Sequence, residues 1–114
     1  MANTLSFKRY RPPVLPVELL DERQTVIHVT PPTVALQEEL RGRMSELNAL
    51  LTGGDEEQRE GLWDLAARLM SCNRNMLTLT PDALRTTYGL DEEDLVIFYD
   101  EYARFLTDLE NAKN

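Results

Sequence analysis

The chain has 114 residues, of which 42% are hydrophobic, and its formal net charge at pH 7 is -8. This is enough apolar material for one compact core and too little for two, so we expect a single domain over residues 1–114. The acidic charge argues against a nucleic-acid partner, because proteins that bind the phosphate backbone use Lys and Arg to displace counterions. No stretch approaches the roughly 18 apolar residues of a membrane span, and the first residues lack the apolar segment of a signal peptide. These features predict a cytoplasmic protein without a membrane partner.

The predicted β structure lies in residues 1–30. The sequences TLSFKRY, from residue 4, and TVIHVT, from residue 25, alternate apolar and polar side chains as half-buried strands do. Between them, Pro12, Pro13 and Pro16 remove backbone hydrogen-bond donors and exclude a central strand, so this segment is predicted to be a loop or a sheet edge. We therefore expect a short hairpin or ribbon, whose strands pair either within one chain or between two chains.

Helices are predicted throughout residues 31–110. The first covers residues 33–51, where five apolar side chains recur at helical spacing: Leu36, Leu40, Met44, Leu47 and Leu51. The second begins after Asp55, an acid of the kind that caps helices. The short third helix covers residues 81–88, and Thr80 is its predicted cap.

The fourth helix shows the clearest amphipathic pattern. Its main apolar side chains fall within about a third of the helix circumference at ~100° per residue. They are Leu95, Phe98, Tyr99, Tyr102, Phe105, Leu106 and Leu109. Residues 111–114 are predicted to fray. The predicted fold is thus mainly α: a small helical domain of about four helices with a short N-terminal β element.

Four consecutive carboxylates, from Asp91 to Asp94, have two interpretations. Consecutive acids fan out around a helix, so they do not converge on a cation as acids three or four residues apart do, and the spacing of a calcium loop is missing. The start of a helix, in contrast, favours acids because of its unpaired amides and positive dipole end. We therefore predict that Asp91 caps the fourth helix and that Asp94 completes a capping box, with a metal site as the alternative.

No catalytic constellation is recognisable elsewhere in the sequence. The serines lack a G-x-S-x-G elbow, and the single His28 falls in a predicted strand without a placed partner. The pair Gly53 and Gly54 lacks the lysine of a phosphate loop, and Cys72 has no second cysteine with which to form a disulfide. The sequence predicts a protein that is not an enzyme and that has no cofactor or metal.

Two apolar residues of the fourth helix fall outside its main stripe. Ile97 lies nearly opposite the stripe, and Val96 lies to one side of it. The short helix at residues 81–88 would cover them in one interpretation. In the other, they form an exposed patch with Tyr99 at its border, which suits a partner helix. Val96, Ile97 and Tyr99 are therefore the candidate partner-binding residues.

The order of motifs in residues 62–106 resembles the C-terminal half of the small tail assembly chaperones of long-tailed bacteriophages. In that family, a helix ending in an A..L.S.N phrase leads through a threonine-started short helix into an acidic L..EDL..F...Y..F helix. The first phrase is matched by Ala66, Leu69, Ser71 and Asn73, and the second by Leu90, Glu93, Asp94, Leu95, Phe98, Tyr102 and Phe105.

The resemblance implies a cytosolic, non-catalytic phage protein without a cofactor. Such a protein binds the tape measure protein, keeps its long hydrophobic helices soluble and helps to recruit tail-tube subunits. The resemblance implies no binding residue, so the candidates above come from apolar positions alone. A helical adaptor or regulatory module unrelated to phage is the alternative.

The uneven charge along the chain also permits a homo-oligomer. Residues 1–11 contain Lys8, Arg9 and Arg11 and no acid, whereas residues 89–114 contain eight acids. Head-to-tail association of like chains is therefore electrostatically allowed.

Overall fold

The computed structural model describes residues 13–112, which form a small antiparallel sheet followed by a helical body. The strands are β1 (Leu15–Glu18) and β2 (Val26–Val29), and the α-helices are α1 (Val34–Arg43), α2 (Asn48–Thr52), α3 (Glu56–Ser71) and α4 (Glu92–Ala112). A 3-10 turn at Met44–Glu46 joins α1 to α2, and a π-helical turn at Ala83–Thr87 lies between α3 and α4. The mainly helical class with a short N-terminal hairpin is confirmed.

The hairpin pairs β1 with β2 within one chain, from Leu15 opposite Val29 to Glu18 opposite Val26. β1 falls in the proline-bearing segment that was predicted to be a loop or a sheet edge. The sheet has two strands within residues 13–112, so β1 is an edge there. The predicted strand TLSFKRY lies outside the described residues. TVIHVT therefore pairs with the residues of the proline segment.

The predicted single helix over residues 33–51 is wrong in its middle. α1 begins after Thr33, whose side chain accepts a hydrogen bond from the Leu36 amide, but it ends at Arg43. Gly42 and Ser45 flank this end, and both residue types have a lower helix propensity than alanine. The break changes the phase of the apolar stripe, so that Leu51 is exposed.

α3 and α4 provide most of the core, as their apolar patterns predict. Asp55 caps α3 by accepting a hydrogen bond from the Glu57 amide at 2.7 Å. The buried side chains of the two helices are Leu62, Trp63, Leu65, Ala66, Ala67, Leu69, Met70, Leu95, Phe98, Tyr99, Tyr102 and Phe105. A hydrogen bond of 2.5 Å from the Tyr99 hydroxyl to the Leu62 carbonyl joins α4 to α3.

The turn between α3 and α4 and the C-terminal end of α4 complete the helical body. The predicted cap Thr80 accepts a hydrogen bond from the Ala83 amide at 3.1 Å, although the helical turn that follows is largely π-helical. α4 continues through Ala112, so the predicted frayed tail is helical at residues 111 and 112 and otherwise lies outside the described residues. No helix within residues 13–112 has the length and hydropathy needed to cross a membrane.

Replacing Tyr99 by Phe should lower the free energy of unfolding by about 1 kcal/mol, because the hydrogen bond to Leu62 is lost while the ring stays buried. Tyr102→Phe is the matched control, since Tyr102 is also buried but its hydroxyl has no hydrogen-bond partner among residues 13–112. Removing that hydroxyl should leave the free energy of unfolding unchanged or raise it.

Urea denaturation at neutral pH measures both changes. Burial raises the pKa of both phenols above the ordinary value of 10.0, so both side chains are neutral under these conditions. Equal losses of stability in the two variants would contradict a specific contribution from the Tyr99 hydrogen bond.

Candidate partner-binding groove

The three candidate partner-binding residues do not share one surface. Ile97 is 61% exposed, Val96 is half-buried against the core, and Tyr99 is only 1% exposed. A border position for Tyr99 on a surface patch is therefore wrong. The physical reason is the helical phase: residues 97 and 99 point about 200° apart on α4, and the hydroxyl of Tyr99 is held by Leu62.

Ile97 instead lies on the rim of a groove between β1 and α4. The groove has a volume of about 230 Å³. One wall contains every residue from Leu15 to Leu20, and the other contains one face of α4, with Met70 and Phe98 buried at the base. Leu20 is 61% exposed on the strand wall, as Ile97 is on the helix wall. The helical turn at residues 81–88 thus leaves Ile97 accessible.

The wall formed by β1 presents an open backbone edge. The Leu19 amide donates to the Thr25 carbonyl at 2.7 Å, which continues the ladder between the strands. Residues of an antiparallel pair alternate in direction, so Leu15 and Val17 direct their backbone groups toward β2, whereas Pro16 and Glu18 direct theirs away from it. Proline has no amide to leave unpaired, which suits this outward position.

The outer edge of β2, in contrast, is closed by the turn that follows α3. The Thr30 amide donates to the Cys72 carbonyl at 2.8 Å, and the Arg74 amide donates to the His28 carbonyl at 3.0 Å. The His28 amide donates to the Asn75 side chain at 2.8 Å. Within residues 13–112, β1 therefore provides the open edge of the sheet.

Ser71 and Asn73, two residues of the phage-chaperone phrase, hold this turn in place. The Ser71 hydroxyl accepts from the Leu79 amide at 2.8 Å. The Asn73 side chain accepts from the Asn75 and Leu77 amides and donates to the carbonyls of Met70 and Leu77. Sequence reasoning identified these positions by resemblance but did not foresee that they close one edge of the sheet.

The groove is acidic as well as apolar. Among the described residues 13–112, its lining includes Glu18, Asp94 and Glu101 and no Lys or Arg. Glu101 pairs with Arg104 at 3.5 Å, but both side chains are more than half exposed, and such pairs contribute little. A basic segment is therefore favoured over an acidic one at this site.

The carboxylate cluster at residues 91–94 starts α4 as predicted. An oxygen of the Asp91 side chain accepts from the Asp94 amide at 2.9 Å, and an oxygen of the Asp94 side chain accepts from the Asp91 amide at 2.9 Å. This is a reciprocal capping box. The hydrogen bond from the Asp94 amide lowers the pKa of the Asp91 carboxyl from its ordinary value of 3.8. Within residues 13–112, no group of three or more His, Cys, Asp or Glu side chains is arranged to hold a metal ion.

A second surface depression, beside Trp63, is occupied by side chains that pair with one another. The guanidinium of Arg85 lies 4.4 Å from the centre of the Trp63 ring and pairs with Glu60 at 2.6 Å. Arg59 pairs with Glu92 at 3.2 Å beside them. These contacts form a surface network of ion pairs that joins α3 to the start of α4.

Comparison with known proteins finds no family model, no curated protein and no solved structure that matches this chain.

Replacing Asp91 by Ala should lower the midpoint of thermal unfolding by a few degrees, because one amide of the first turn of α4 loses its partner. Glu93→Ala is the matched control, since Glu93 is an exposed neighbour in the same turn. The lowered pKa of Asp91 makes its contribution fully present above pH 3.8, and the contribution is lost as the pH falls through the pKa of the folded state. The two variants should therefore differ at neutral pH and converge in strong acid.

Adding magnesium, calcium or manganese during the same thermal unfolding measurement tests the metal alternative. No rise in the midpoint is expected from the capping role. A rise that disappears in Asp94→Asn and Glu93→Gln would show that the cluster binds the cation.

Proposed function

We propose that this chain is a non-catalytic tail assembly chaperone of a long-tailed phage, and that it holds an apolar segment of the tape measure protein in the groove between β1 and α4. The observation that carries the proposal is the groove itself. Two large aliphatic side chains, Leu20 and Ile97, stand exposed on opposite walls above a buried apolar base. Apolar side chains left exposed in a concave site are typical of surfaces that bind another chain.

The resemblance of residues 62–106 supports the same assignment. Three residues that match its second phrase also line the groove: Leu90, Asp94 and Phe98. Two of the four residues that match the first phrase, Ser71 and Asn73, hold the turn that closes the outer edge of β2. Residues of the motif thus line the groove on the α4 side and hold the turn to which the hairpin is attached.

The net charge of -8 is consistent with a protein that keeps an apolar partner in solution. Binding in the groove leaves the many acids of the remaining surface in water, and like charges on separate complexes resist their aggregation. The proposal places this activity in the host cytoplasm, where the bound tape measure protein also recruits tail-tube subunits with the help of this chain.

Co-expression with the tape measure protein from the same phage genome tests the proposal. Most of the tape measure protein should move into the soluble fraction when this chain is present, and the two should purify together. Ile97→Asp should abolish this effect, because a charge on the rim opposes burial of an apolar segment.

Val34→Asp is the matched control, since Val34 is an aliphatic residue that is 77% exposed on α1, away from the groove. Both variants should keep the helical circular dichroism of the unmodified chain, because both replaced side chains are exposed. A tape measure protein that stays equally insoluble with and without this chain would contradict the proposal and favour an adaptor unrelated to phage.

A further inference from the structure

We propose that the groove binds its partner as an extended strand that pairs with the open edge of β1, and that the bound segment alternates apolar side chains with Lys or Arg. The inference rests on the proposed function only in taking the tape measure protein as the source of that segment. It specifies both the conformation and the charge of the bound segment.

The backbone of β1 is the first reason for an extended partner. The Glu18 amide and the carbonyls of Pro16 and Glu18 point away from β2, and the groove takes in every residue from 15 to 20 rather than alternate ones. A strand placed about 4.8 Å from β1 would satisfy these groups and continue the sheet toward α4.

A helical partner would fit less well. A helix already satisfies its own backbone groups, so it would leave the Glu18 amide without a partner chain to receive its hydrogen bond. Alternate side chains of a strand can instead point toward the buried base formed by Met70 and Phe98, on the same side as Leu15 and Val17 of β1, since every second residue of a strand points to the same face.

The acids around the groove specify the charge of the partner. The carboxylates of Glu18, Asp94 and Glu101 face a bound segment from both walls. They attract Lys and Arg on the solvent side of the added strand and repel acidic segments. Side chains that alternate between the apolar groove and this acidic rim match a segment with alternating apolar and basic residues.

The same features disfavour a second copy of this chain as the occupant. Two β1 edges placed side by side would bring two Glu18 carboxylates together at the edge of one sheet. Pro16 would also remove one hydrogen bond from each strand. Charged residues and proline on an edge strand are common protection against self-pairing.

Amide hydrogen exchange of the full chain, followed by nuclear magnetic resonance, tests the proposal. The probe is a synthetic nine-residue peptide that alternates valine and lysine, and the control peptide alternates valine and glutamate. Saturation with the valine–lysine peptide should slow exchange of the Glu18 amide at least about tenfold, as is usual when an exposed amide becomes hydrogen-bonded. The Leu19 amide, which already donates to Thr25, should change much less. The valine–glutamate peptide should not bind.

Three results would overturn the proposal. One is a valine–lysine peptide that does not bind, or that binds without slowing exchange at Glu18. Another is equal binding of the two peptides, which would exclude selection by charge. The third is a Glu18 amide already protected in the free chain, which would identify a segment of the same chain, or a second copy where protection depends on concentration, as the occupant.

The outcome is separable from that of the proposed function. Tape measure protein that is kept soluble while Glu18 stays unprotected would reject strand pairing alone. A peptide that protects Glu18 while tape measure protein stays insoluble would reject the phage assignment and leave the mode of binding in place.

Discussion

The hydrogen bonds of the Asn73 side chain hold the turn that positions the hairpin and, through the hairpin, one wall of the groove. The amide nitrogen donates to the carbonyls of Met70, at the end of α3, and Leu77, in the loop beyond, while the oxygen accepts from the Asn75 and Leu77 amides. The turn held in this way binds the outer edge of β2. A hairpin of two four-residue strands is marginal by itself, so its attachment to α3 is what keeps it ordered.

Once β2 is bonded on both sides, the sheet can grow only at β1. The two walls of the groove therefore differ chemically, because one wall presents unpaired backbone groups and the other presents the side chains of α4. Pro16 and Glu18 make the open edge a poor partner for its own copy while leaving two carbonyls and one amide available. The edge is thus protected against aggregation and remains open to a basic strand.

Features encoded within a few residues could be predicted from the sequence. The capping box between Asp91 and Asp94 and the apolar stripe of α4 depend on spacing along one helix, and both are confirmed. The groove could not be predicted, since it forms between residues 15–20 and side chains of α4 that lie more than seventy residues later in the sequence. Tyr99 was predicted to lie both in the apolar stripe of α4 and at the border of a surface patch. Its burial confirms the first position, and the second is wrong because residues 97 and 99 point about 200° apart on the helix.

The acids at the start of α4, which suggested a metal site, also determine which residues of α4 line the groove. Because the capping box fixes the first turn of the helix, it also fixes where each later residue points. Asp94, Ile97, Phe98 and Glu101 follow at intervals of three and four residues and therefore share the face that lines the groove. Leu95 and Tyr102 fall on the face that packs into the core. One helix start thus places an apolar and acidic wall opposite β1 and a buried stripe against α3, so that the stability of the fold and the shape of the groove depend on the same few residues.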